Sequence, residues 1–105
     1  MTEKKIVLST AGSQDEARKI ARALVDRRLA ACVNLVAPVE SIYRWQGKVE
    51  TAQEWLLVIK TIAEKFPQVR DVIRELHSYD LPECIMLPID DGSPGYLEWI
   101  EDSVR

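Results

Sequence analysis

The segment from Ala30 to Lys48, A-A-C-V-N-L-V-A-P-V-E-S-I-Y-R-W-Q-G-K, restricts the fold more than any other part of the chain. From Cys32 to Trp45 the pattern is extended, with Val39, Ser41, Tyr43 and Trp45 on one face and Glu40, Ile42 and Arg44 on the other. Pro38 has no amide to donate to a ladder, so it marks a bend, a bulge or an edge. Gln46-Gly47-Lys48 reads as a turn, and extended residues resume near Val49 and strengthen at Trp55-Leu56-Leu57-Val58-Ile59. The prediction is one unusually long hairpin. A hairpin longer than its own core can cover leaves apolar faces and unpaired edges, and a partner subunit commonly protects both. Tyr43, Trp45 and Trp55 are the candidates for that interface, the alternative being an aromatic wall for a ligand.

The remaining elements fall around this hairpin. Lys5 to Thr10 is a short apolar run that stops at Ala11-Gly12, a first strand. Ser13-Gln14-Asp15-Glu16 has the spacing of a capping box, and Ala17, Ile20, Ala21 and Leu24 define the buried stripe of the helix it opens. Arg27 and Arg28 stand where cations suit the negative end of its dipole. Phe66, Val69, Val72, Ile73 and Leu76 trace a second amphipathic helix, with Pro67 in its first turn and its end near His77. Cys84 to Ile89 is a fourth strand. Asp91-Gly92 turns the chain, Ser93 caps and Pro94 starts a short last helix that turns Tyr96, Leu97 and Ile100 inward. The order predicts an α+β, ferredoxin-like β-α-β-β-α-β sandwich with a long hairpin between its second and third strands and a C-terminal helix. Its sheet is antiparallel, with both main helices on one face and the other face partly bare.

A chain of 105 residues fits one domain, residues 1–105, with one modest core. Acidic residues outnumber basic ones, 17 against 14, and the basic residues form no run, which argues against a nucleic-acid partner. The start lacks a secretory apolar run and no segment is long and apolar enough to span a membrane, so the expectation is a cytoplasmic protein with no membrane partner. The two cysteines, Cys32 and Cys84, form no C-x-x-C pair and are expected to be free thiols.

His77 is the one histidine, and Tyr79, Asp80 and Glu83 follow it closely. Copper and zinc favour imidazole, with thiolate or carboxylate as further ligands, so His77, Cys32, Cys84 and Glu83 form the candidate metal set. The structural alternatives are a helix-end role for His77, whose ring would bond terminal carbonyls, and packing roles for both thiols. Lys60, near the end of an apolar strand, reads either as an anion-binding cation or as a side chain that snorkels to solvent. Asp90-Asp91-Gly92 lacks the further carboxylates of a calcium loop. No Walker loop, dinucleotide glycine pattern, serine elbow or H-E-x-x-H appears, and the expectation is a protein that is not an enzyme.

Ala30 to Asn34, Ser41-Ile42-Tyr43 with Trp45 and Gly47-Lys48, Ile59-Lys60-Thr61, the His77/Tyr79/Pro82-Glu83 loop and Leu87-Pro88-Ile89 together resemble the CutA family, the divalent-cation tolerance proteins. The resemblance runs from the first strand to Tyr96-Leu97-Glu98-Trp99. It implies a ferredoxin-like protomer in a tight homotrimer, and a role in tolerance of divalent metals, especially copper, without catalysis. It also implies a histidine ligand at His77 and a cysteine ligand at the end of the first strand. That position here is Ser9, and a hydroxyl is a far poorer copper ligand than a thiolate. His77-Ser78-Tyr79 replaces the His-Pro-Tyr frequent in the family.

Two functions follow as expectations. The first is a trimeric protein that binds copper or another divalent metal ion in metal tolerance. The second is a trimeric regulatory module that binds a small anionic metabolite in clefts between subunits, lined by Lys60, Tyr79 and Glu83, which resembles the nitrogen-regulatory trimers by architecture.

Overall fold

A computed structural model describes residues 2–105. Strand β1 (Lys4–Ala11) leads into helix α1 (Gln14–Asp26), followed by β2 (Cys32–Trp45) and β3 (Lys48–Ile62). A 3₁₀ turn at Ala63–Lys65 opens onto α2 (Phe66–Leu76), β4 (Ile85–Pro88) and α3 (Pro94–Ser103). The strands form one antiparallel sheet in the order β2-β3-β1-β4, the ferredoxin-like arrangement.

The hairpin is as long as its sequence requires. Gln46 and Gly47 have φ values of 49° and 79°, a two-residue turn of the left-handed kind that matches strand twist, and Trp45 pairs with Lys48 across it. The pairing slips between Val36 and Val39, so Pro38 sits in a bulge on an edge strand, where its missing amide costs no ladder bond. Beyond Trp55, which pairs with Ala11, β3 has only β2 beside it. The distal half of the hairpin is therefore a two-stranded ribbon.

The core lies between one sheet face and the two main helices. Ala17, Ile20 and Leu24 from α1 and Val69, Val72 and Ile73 from α2 pack on Val7, Ala11, Leu57 and Ile59. Each large aliphatic side chain buried there stabilises by about 1.5–3 kcal/mol. Trp55 shares this face and packs against the same cluster. Residues paired across a ladder share a face, so Ile6, Lys60 and Leu87 form one row of the opposite face and Leu8, Val58 and Ile85 the next. Helix α3 covers one end of that face through Ile100 and Val104 on Ile62 and Ala31. The rest is bare: Ile85 is 52% exposed and Leu87 40%.

Four local expectations need correction. Helix α1 ends at Asp26, so Arg27 caps it and Arg28, with φ 58°, turns the chain out instead of lying in the last turn. Strand β4 starts at Ile85, because pairing with β1 begins at Leu8, and Cys84 precedes it. The Ser93 side chain makes no capping bond. Tyr96 is exposed and stacks at a tilt on Trp99, 5.4 Å between centroids, while Ile100 takes the buried position.

Candidate functional site

Helix α2 stops at His77, whose backbone turns extended while its amide still donates to the Ile73 carbonyl at 2.9 Å. The extended turn carries the imidazole over the end of β1. There Nε2 donates to the Thr10 carbonyl at 2.6 Å, and Nδ1 accepts from the Tyr79 amide at 3.1 Å. These partners fix the neutral tautomer with the proton on Nε2. The ring is fully enclosed, and its carbonyl partner belongs to β1, not to the end of α2 as a helix-end role would have it.

Glu16 completes this anchor. Ser13 Oγ accepts from the Glu16 amide at 3.2 Å, the first half of a capping box. The Glu16 carboxylate leaves the second half unmade. It accepts from the Ser78 amide and, at 3.1 Å, from the Ser78 hydroxyl, and lies 3.8 Å from His77 Nδ1. Helix α1 thereby ties down the loop that follows α2.

The anchored loop delivers Tyr79. Its ring lies tilted against His77, 4.5 Å between centroids, and its hydroxyl donates to Glu54 Oε2 at 2.7 Å. Gly12 permits the approach, because a Cβ there would stand 3.0 Å from the phenol oxygen. Burial, reinforced by the hydrogen bond and charge of Glu54, pushes the Tyr79 phenol up to about 12. Glu54 itself is 6% exposed.

Between this loop and the hairpin lies a cavity of about 740 Å³. Tyr43 and Trp45 line it from the hairpin, and Tyr79, Asp80 and Glu83 from the loop, with Glu54 between them in the sequence of β3. No lysine, arginine or histidine is among its lining residues. Burial and then the charge of Glu54 push the Glu83 carboxyl above the ordinary range.

The other candidate residues lie apart. Cys84 packs against the helix-covered core, where burial pushes its thiol up despite Arg70 and Arg74 nearby. Cys32 opens β2 opposite Lys60, on the sheet face turned away from α1 and α2. Lys60 does not line the cavity with Tyr79 and Glu83; its Nζ stands 5.8 Å from the centre of the Tyr96 ring. Ser9 is fully buried on the core side, and its hydroxyl has no hydrogen-bond partner among the described residues. The three interface candidates divide: Tyr43 and Trp45 are each 43% exposed, whereas Trp55 packs on the core.

These placements do not fit a copper centre within one protomer. Both His77 nitrogens are taken, Cys84 favours its protonated form, and no three His, Cys, Asp or Glu side chains among the described residues gather as a metal requires. Sequence reasoning missed Glu54, Glu16 and Thr10. Glu54 reads in sequence as one more strand charge, and Thr10 contributes a backbone carbonyl that no side-chain pattern announces. The Ala11-Gly12 stop was the available signal, since a glycine at a strand end marks a close approach.

The sequence profile of the CutA1 divalent ion tolerance protein matches residues 5–103. The divalent-cation tolerance protein CutA of Thermus thermophilus is 48% identical over 98 residues, 93% of this chain and 95% of that protein. The solved structure of CutA from Xylella fastidiosa superposes with a TM-score of 0.96 at 40% identity, covering 99% of this chain and all of that one. The structure described as the periplasmic divalent cation tolerance protein CutA from Archaeoglobus fulgidus gives 0.94 at 40% identity, covering 97% and 99%. With the ferredoxin-like topology and the His77 to Glu83 loop in place, these similarities show that the chain belongs to the CutA1 divalent ion tolerance family.

Proposed function

We propose that this chain is a non-catalytic, homotrimeric protein of divalent-cation tolerance that acts in the cytoplasm as one domain over residues 1–105. Family membership supports the tolerance role. The observation that carries the assembly is the bare sheet face, Leu8, Val58 and Ile85 with Ile6 and Leu87, continued by a ribbon bearing Ile42, Tyr43, Trp45 and Val49. A lone protomer covers neither, and a contiguous apolar face beside an open ribbon is the signature of a subunit interface. Tyr43 and Trp45 belong to that interface in this reading, with Trp55 bracing the ribbon from the core side.

The absence of catalysis rests on chemistry. A nucleophile needs a base within reach, and the one imidazole is held at both nitrogens by the backbone. Copper, or another divalent metal ion, is a ligand of the assembly and not a resident centre of the protomer. In this reading its donors come from more than one chain, drawn from Glu83 and from Cys32 and Cys84, both only partly buried, while His77 serves as structure. The unpaired thiols support a reducing compartment.

Light scattering with and without copper, with metal analysis on the same samples, tests this reading. The expected mass is three times the 12.0 kDa of one chain in both conditions, with copper uptake lowered by Cys32→Ser and unchanged by His77→Gln. A monomer's mass would remove the trimer. An assembly that takes up no copper would move the tolerance role to another ligand.

A further inference from the structure

We propose that the His77 ring is a proton-operated catch for residues 78–83: the neutral imidazole holds this loop to the start of α1 and the end of β1, and a proton taken up at Nδ1 releases it. His77 is the one histidine of the chain, and its ring makes two bonds of opposite sense. Nε2 donates to the Thr10 carbonyl at 2.6 Å, and Nδ1 accepts from the Tyr79 amide at 3.1 Å. Only the neutral ring offers both a donor and an acceptor, whereas the imidazolium offers two donors. Once Nδ1 carries a proton, the Tyr79 amide faces another N–H and has lost its acceptor.

Glu16 makes the release cooperative. Its Oε1 lies 3.8 Å from Nδ1, the one carboxylate within ion-pair distance of the ring among the described residues. The same oxygen accepts from the Ser78 amide, and Oε2 accepts from the Ser78 hydroxyl at 3.1 Å. An enclosed cation left without its counter-charge is costly, so a protonated ring draws this carboxylate to itself and away from Ser78. One proton therefore loosens the amides of Ser78 and Tyr79 together. Tyr79 also carries the phenol that donates to Glu54 on β3, and a loop free of its anchor no longer fixes that bond.

Few groups surround the ring. From α1 it meets Glu16, from its own loop the Tyr79 ring at 4.5 Å between centroids, and from β1 a carbonyl that does not titrate. Glu54 of β3 reaches it through Tyr79. The His77 side chain has no exposed surface, so a solvent proton gains Nδ1 only as the loop opens, which couples uptake to release. All these contacts lie within one chain, and neither a partner subunit nor a metal ion has a part in the catch.

Nuclear magnetic resonance of the full chain in its solution assembly, with isotope-labelled histidine and backbone, tests the catch between about pH 8 and about pH 5, the span in which imidazoles titrate. At the alkaline end the ring nitrogens are expected to report the neutral tautomer with the proton on Nε2. On acidification the Ser78 and Tyr79 amide signals are expected to move with the midpoint of the ring. Exchange of these amides, corrected for the intrinsic effect of pH, is expected to quicken about tenfold or more. His77→Gln is expected to abolish the step in both amides. Glu16→Gln keeps an acceptor for Ser78 and removes the charge; it is expected to move the step to lower pH, and it keeps the test open should His77→Gln not fold. Glu83 stands on the same loop, its carboxyl pushed above the ordinary range by burial and then by the Glu54 charge, so Glu83→Gln is the control and is expected to leave the step in place. The proposal is overturned by a ring that titrates while both amides stay unmoved, by a ring protonated on Nδ1 at the alkaline end, or by a ring that stays neutral until the fold is lost. It is equally overturned by a step that survives His77→Gln, vanishes in Glu83→Gln or stays unmoved in folded Glu16→Gln. The mass of the assembly and its copper content enter none of these readings.

Discussion

The phenol of Tyr79 donates to the Oε2 of Glu54 at 2.7 Å, joining the loop after α2 to the middle of β3 across 25 positions of sequence. The bond seats a neutral donor on a buried carboxylate, and burial together with that carboxylate favours the protonated phenol.

Tyr79→Phe is expected to lower stability by about 1–2 kcal/mol near neutral pH, the value of a hydrogen bond to a charged acceptor in a half-buried setting. The pH dependence follows from the phenol's shift from 10.0 to about 12. A raised folded-state value means that the contribution is complete below the unfolded value of 10.0 and is lost as pH rises through about 12. Urea denaturation at a series of alkaline pH values should show this loss in the wild type and a flatter profile in Tyr79→Phe. Tyrosinate absorbance should show one of the three tyrosines titrating late.

Ser9 presents the opposite situation, a buried hydroxyl with no partner among the described residues. Ser9→Ala is expected to raise stability by up to about 1 kcal/mol, since an unsatisfied polar group is removed at little loss of volume. Ser9→Cys should fold equally well, and its new thiol should resist labelling in the native state, because the site faces the core. Rapid labelling there by a thiol reagent would contradict the burial.

His77 is placed as a structural residue by its two backbone bonds. His77→Ala is expected to cost about 2–4 kcal/mol, as the Thr10 carbonyl and the Tyr79 amide lose their partner and the enclosed ring leaves a cavity. The denaturation midpoint reports this cost. Calorimetric copper affinity, measured on the fraction that remains folded, is expected to stay at the wild-type value.

Cys84 has a thiol pushed up by burial, so its thiolate is scarce at neutral pH. Iodoacetamide is expected to modify it about tenfold or more slowly than a small free thiol at pH 7, with the rate climbing steadily as pH rises. Mass spectrometry of the labelled protein distinguishes Cys84 from Cys32.

Much of the fold was legible because its signals are local. The stripe Ala17, Ile20, Leu24 and the stripe Val69, Val72, Ile73 repeat at helical spacing, and Gln46-Gly47 between two alternating runs can hardly be other than a tight turn. Limits set by pairing were not legible: Cys84 looks as strand-like as Ile85, and the difference is that Leu8 has Ile85 for its partner. The candidate site was legible as a loop and not as a chemistry. His77, Tyr79 and Glu83 stand together in sequence, whereas the groups that decide their roles, Thr10, Glu16 and Glu54, arrive from three other elements. Tyr96 misled because helical spacing identifies a stripe without saying how wide a stripe the neighbouring sheet can accept.

The hairpin holds two unlike kinds of strand in one continuous ladder. From Leu56 to Lys60 β3 is paired with a strand on each side, while from Lys48 to Glu54 it depends on a single neighbour. Amide hydrogen exchange should therefore divide sharply within β3, slow in the first stretch at any concentration and slow in the second only where another chain lies against the ribbon. One strand thus carries its own internal standard for association: the ratio of the two exchange rates reads out assembly directly, at concentrations too low to weigh it.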